Sequence, residues 1–166
     1  MISKKILSIL TAIAALLLLA ACSMSVTRNS DGSLSVTTSI TGDSLNSEIK
    51  AAIADPLIQS IQVDLQSGFM NVTGTRKRLD SDKLDSMSFR LDLGVSNGQL
   101  TATVSNALID GVAVGADRVA NWNQTIANRL ENIGRRRANS TLQSVAISSA
   151  GVTLTWRVET ARSRGQ

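Results

Sequence analysis

The thiol of Cys22 is the one side chain in this sequence whose position alone points to covalent chemistry. It is the only cysteine in 166 residues, and it stands directly behind an apolar run, Ile6 to Ala21, that is broken only by Ser8 and Thr11 and preceded by Lys4 and Lys5. A basic start, an apolar stretch and small closing residues make the pattern of a secretory signal peptide. A spanning helix needs about 20 predominantly apolar residues with suitable flanks. This run is shorter, and it ends in Ala-Ala-Cys where a stop-transfer patch would be polar. Small residues before the thiol let the backbone enter a protease cleft, and the thiol itself is a nucleophile for acylation.

The four residues Leu19-Ala20-Ala21-Cys22 resemble the lipobox of bacterial lipoproteins. That resemblance implies transfer of a diacylglycerol to the Cys22 sulfur, removal of residues 1–21 as signal peptide, and a single mature domain over 22–166. An ordinary signal peptide with a chance cysteine near its end is the competing reading. One acyl chain, at about 0.8 kcal/mol per buried methylene, binds a membrane only reversibly, whereas two or three hold. Ser23 at the second mature position implies the periplasmic face of the outer membrane in a cell with two membranes. Only Ser23 and Met24 separate the cysteine from the first alternating stretch, so the domain is expected close to its membrane.

Other reactive constellations are weak. Histidine is absent, which removes the usual general base, proton shuttle and commonest metal ligand together. Acylation of Cys22 leaves no thiol for a disulfide, a metal site or catalysis. Ser47-Glu48-Ile49-Lys50 spells S-x-x-K, but the companion motifs of penicillin-recognising enzymes are missing, Ser81-Asp82-Lys83 being a near miss. Asp80-Ser81-Asp82 begins like a calcium loop, yet Leu84, Asp85 and Leu91 stand where a ligand, a glycine and the closing glutamate belong. The chain reads as a non-enzyme with no metal and no cofactor.

Composition narrows the partners. Removing residues 1–21 leaves 145, a normal size for one domain. The pI of about 9.8 suggests a polyanion ligand, but Lys4 and Lys5 leave with the signal, so 15 basic side chains face 13 acidic ones. Aromatics are limited to Phe69, Phe89, Trp122 and Trp156, without tyrosine, so the stacking platforms of single-strand binders are missing. Nucleic acid is excluded as the expected partner. The membrane, through the anchor, is the expected one, with a lipid ligand or an unidentified envelope protein beside it.

The elements that would carry any site follow from periodicity. Val26, then Asn29-Ser30-Asp31-Gly32, then Leu34 and Val36 predict a β-hairpin over 25–40. Leu45, Ile49, Ala52 and Ile53 recur at three and four behind Thr41 or Asp43 as cap, predicting a helix over 43–55 that Pro56 ends. Ile61, Val63 and Leu65 alternate before Ser67-Gly68, and Met70 and Val72 return. Residues 75–85 are charged and aperiodic and read as a solvated loop. Met87 to Leu93 and Leu100 to Val104 alternate across Asn97-Gly98, a strong turn signal. Residues 107–115 are left as a crossing loop or edge strand. Val119, Trp122, Ile126, Leu130 and Ile133 form one stripe of a long helix over 117–137, with Arg118, Gln124, Asn128, Glu131 and Asn132 off it. Val145 to Val158 close with a last hairpin about Ala150-Gly151. The fold class is α+β, an antiparallel sheet of hairpins packed on two amphipathic helices.

A faint repeat runs through this layout: Ile58-Gln59-Ser60-Ile61-Gln62-Val63 and Leu142-Gln143-Ser144-Val145-Ala146-Ile147 each follow an amphipathic helix and lead to a glycine turn. From about Ile40 to Glu159 the pattern resembles small bacterial lipoproteins with a reduced tubular lipid-binding (TULIP-like) architecture. The resemblance implies a half-barrel holding a lipid or other apolar ligand between helix and sheet. The lining would be Leu45, Ile49 and Ile53 from the first helix, Trp122, Ile126 and Leu130 from the second, and Phe89, Leu91 and Trp156 from the sheet. An acyl chain needs area more than hydrogen bonds, which suits such a lining. Arg135, Arg136 and Arg137, at the end of the long helix, would meet anionic headgroups. The alternative is that all nine apolar residues are core and the protein is a structural or interaction lipoprotein.

Overall fold

Turn chemistry sets the strand pairs. Asn97 and Gly98 take φ of 52° and 73°, the two left-handed positions of a two-residue hairpin loop, and Ser96 pairs with Gln99 across it. At the Ala150-Gly151 turn Gly151 has φ 146°, and a Cβ there would run into the Ile40 carbonyl. Asp31 folds the first turn, its Oδ1 accepting from Ser33 N at 2.9 Å. A computed structural model of the chain describes residues 22–134 and 139–159. The elements are β1 (Cys22–Arg28), β2 (Leu34–Ile40), α1 (Gly42–Ile53), β3 (Ile58–Leu65), β4 (Met70–Lys77), β5 (Leu84–Ser96), β6 (Gln99–Ile109), β7 (Val112–Ala113), α2 (Ala116–Gly134), β8 (Ser140–Ser148) and β9 (Gly151–Val158).

The architecture is α+β, but the hairpins divide into two open antiparallel sheets instead of one. The first runs β1-β2-β9-β8 and the second β3-β4-β5-β6-β7. They meet where β8 crosses the tips of two hairpins: Gly68 N donates to Ile147 O at 3.2 Å, and Leu142 N donates to Gly98 O at 2.9 Å. α1 lies along β3 and α2 along β6, and the two helices pack on each other.

Local chemistry explains the helix bounds. Thr41 is the N-cap of α1, its Oγ1 accepting from Ser44 N at 3.5 Å, with Asp43 in the first turn and Lys50 in the last. Ala54, left-handed at φ 51°, ends it ahead of Pro56. The predicted end of the second helix at Arg137 lies outside the described residues. The charged loop is shorter than its composition suggests, because β4 runs to Lys77 and β5 begins at Leu84. Arg78 tightens it, reaching Asp85 and Asp110 at 2.6 Å each. Residues 107–115 divide between the end of β6, a turn at Asp110-Gly111, the stub β7 and the approach to α2.

The faint repeat has a structural counterpart. In β3 the register shifts between Ile58 and Ser60, and in β8 between Leu142 and Ser144. Gln59 and Gln143, matched in the repeat, are the extra residues of two β-bulges.

Both sheets turn one face inward. Ile40, Leu142, Val152, Leu154 and Trp156 from the first join Met70, Val72, Phe89, Leu91 and Val104 from the second in a single buried cluster with the apolar stripes of α1 and α2. Each fully buried aliphatic side chain there contributes about 1.5–3 kcal/mol by leaving water. β1 stands apart: every residue from Ser23 to Arg28 is exposed, so it adds a ladder to the sheet and nothing to the core.

Candidate functional site

All nine apolar residues expected to line a groove are buried. Leu45, Ile49, Leu91, Ile126 and Leu130 are 0% exposed, Trp122 and Trp156 1%, Phe89 3% and Ile53 6%. The structure brings them together in one cluster, with the Phe89 and Trp122 ring centroids 5.6 Å apart, as packed aromatic pairs prefer. They pack against one another between the helices and the sheets. Trp156 Nε1 is buried with no hydrogen-bond partner among the described residues. Arg135, Arg136 and Arg137 lie outside the described residues. Cys22 opens β1, its backbone pairing with Ile40, so the strand begins at the cysteine itself.

Among the described residues, open space lies along the seam between α2 and β6, at the margin of the core, whose Leu100, Ala102, Val104, Ala107 and Ala127 line it. Two cavities share it. One, about 440 Å³, is lined mainly by Val104, Ala107, Leu108, Val114 and Val119 near the start of α2. The other, about 560 Å³, runs between the backbone of residues 99–102 and a polar flank of α2 carrying Asn123, Gln124, Asn128, Glu131 and Asn132. Asn123 stands between them, its Oδ1 accepting from Val104 N at 2.7 Å. Asn46 of α1 does the same at the far edge of the sheet, accepting from Val63 N at 2.7 Å. Each helix thus supplies one amide oxygen to an edge strand, satisfying a donor that would otherwise invite another strand.

Sequence reasoning placed Gln124, Asn128, Glu131 and Asn132 off the apolar stripe without giving them a role. The available signal was the recurrence of uncharged amides, Gln124, Asn128 and Asn132, at successive turns beside Glu131, which is unlike an ordinary charged solvent face. Ala120 and Ala127, on the same flank, leave the space that the larger cavity occupies.

At the other end of α2 the polar groups form a structural clamp. Asp55 accepts from Leu57 N at 2.9 Å, Arg76 Nε at 2.8 Å and Arg118 Nη2 at 2.7 Å, tying the α1–β3 turn to β4 and α2. Burial alone would push this carboxyl up. The hydrogen bonds from Arg76 and Leu57 and the charges of Arg76 and Arg118 outweigh that and hold it below the usual carboxylate range. The S-x-x-K pair is spent on backbone, Ser47 Oγ donating to Asp43 O at 3.2 Å and Lys50 Nζ to Gln59 O at 3.1 Å. Asp82 of the calcium-like triplet pairs with Lys77 at 2.8 Å. Among the described residues no group of three potential metal ligands assembles, and no helix is long and apolar enough to cross a membrane.

No protein family, curated protein or solved structure matches this chain.

Proposed function

We propose that this chain is a lipid-anchored envelope protein, acylated at Cys22, whose domain works as a docking module with a packed core. One observation carries the choice: the nine residues best suited to hold an acyl chain are 0–6% exposed in one continuous cluster. Among the described residues the α2–β6 seam offers a surface for recognition, and the strand that begins at Cys22 keeps the domain within reach of its bilayer. The outer membrane, suggested by Ser23, is part of this reading. So is a half-barrel, TULIP-like relationship, supported by two helices that pack on each other and along β3 and β6 of a sheet of hairpins.

A second reading, carriage of a lipid or other apolar ligand, is favoured by the apolar cavity of about 440 Å³ at the start of α2, which falls within the range of ligand sites, about 300–1,000 Å³. The test is mass spectrometry of the chain isolated from its native host. An acylated Cys22 with no lipid recovered beyond the anchor supports the docking module. Stoichiometric lipid released on organic extraction favours carriage, and an intact, unacylated chain in the cytosol refutes the anchor that both readings share.

A further inference from the structure

The free edge of β6 is closed at both ends and open in the middle. At one end Gly98 O accepts from Leu142 N of β8, and at the other Ala107 O accepts from Val114 N before β7 pairs with Leu108 and Ile109. Between them, Asn123 takes the Val104 N–H. The register with β5 is unbroken from Gln99 to Ser105, so Leu100 and Ala102 share the orientation of Val104 and turn both their N–H and C=O groups away from β5. None of these four groups has a hydrogen-bond partner among the described residues. They face the cavity of about 560 Å³, whose opposite wall is the amide flank of α2.

We propose that this gap takes a short extended segment of another polypeptide as an added strand beside β6, which deepens the docking reading above and rests on it. Two donors and two acceptors at alternate residues match a peptide backbone, and a strand of about five residues placed roughly 4.8 Å from β6 makes four ladder bonds with Leu100 and Ala102. Asn123 and the start of β8 set its length by blocking the edge on either side. Ala120 and Ala127 leave room above it for side chains, while Gln124 and Asn128 offer amides to its polar groups. The edge has no lysine or proline between Gln99 and Ser105, the residues with which exposed edges usually repel strangers.

The test is a titration of the isotope-labelled full chain in detergent micelles with the capped pentapeptide Ac-Thr-Val-Thr-Val-Thr-NH2, read by amide chemical shifts. Saturable shifts are expected at Leu100, Ala102 and Asn123, with Kd on the order of 0.1–1 mM for so small an interface. The same peptide N-methylated at its ladder-forming amides should bind about tenfold more weakly. Ala102→Pro, which removes an outward N–H at the one kind of strand position where proline is tolerated, should weaken binding similarly. Ala120→Arg, at an exposed helix position, fills the groove from the other wall and should abolish it. Equal binding of the N-methylated peptide, no saturation, or shifts at these amides produced only by a chito-oligosaccharide would overturn the proposal. Intact mass on the same sample separates the two claims: a groove that binds peptide on an unacylated chain removes the anchor reading alone, and an acylated chain with an inert groove removes this one alone.

Discussion

Replacing Asp55 with alanine should cost about 3 kcal/mol at neutral pH, summed over what the carboxylate holds. Its side chain is 9% exposed and meets Arg76, itself 18% exposed, in a charged hydrogen bond, worth about 1.5–3 kcal/mol. The bond to Leu57 N adds about 1 kcal/mol. Arg118 is 42% exposed, so its pair is screened and adds less than about 1 kcal/mol. Asp55→Asn keeps an acceptor for Leu57 N and the shape of the turn, and should lose about half as much. For a domain of this size the alanine variant should melt roughly 10 °C lower. Because the folded carboxyl titrates below its unfolded value, its stabilisation is complete well above about pH 3.9 and fades as the pH falls through the lower folded value. Urea unfolding of wild type and both variants between pH 7 and pH 2.5 measures this. A neutral-pH loss under about 1 kcal/mol, or a loss that does not shrink in acid, would show that the clamp is not electrostatic.

Three further outcomes follow from the geometry. Gly151→Ala should destabilise by about 1–3 kcal/mol, since φ of 146° and the Ile40 carbonyl both oppose a Cβ; a melting curve matching wild type would contradict the turn. Asn46→Ala and Asn123→Ala should each lose about 1 kcal/mol by freeing an edge N–H, and should self-associate more readily in light scattering; monodisperse variants would show that these amides do not guard the edges. Asp31, fed by the hydroxyl and N–H of Ser33 and by Arg157, should titrate at about 2, so that ¹³C NMR finds it still ionised at pH 3; an ordinary midpoint near 3.9 would remove that network.

The strands were legible because alternation and turn residues agreed. Asn97-Gly98 fixed one hairpin and Asp31-Gly32 another, and Thr41 with Pro56 bounded α1 as capping chemistry requires. What stayed hidden was which hairpin joins which sheet. Nothing local in Val152-Thr153-Leu154 says that β9 pairs with β2 as well as β8, a contact more than a hundred residues away in sequence. The groove lining was hard to tell from core for a related reason: a stripe such as Trp122, Ile126 and Leu130 reports that a face is covered, and it reads the same over a neighbour or a ligand. The seam was missed because its floor is backbone. Unpaired groups on Leu100 and Ala102 leave no trace in side-chain pattern, and only the neighbouring strands reveal which edge was left bare.

One consequence of β1 concerns mechanics. Cys22 is both the proposed attachment point and the first rung of the β1–β2 ladder, and Ser23 to Arg28 are all exposed. Tension applied at that residue therefore loads the hydrogen bonds to β2 one after another, like a zip. Seven residues can peel away before any interior side chain is wetted, lengthening the leash by about 24 Å at roughly 3.4 Å per residue. The fold thus carries its own slack: the rest of the molecule can swing farther from the bilayer under load and settle back when the strand re-anneals.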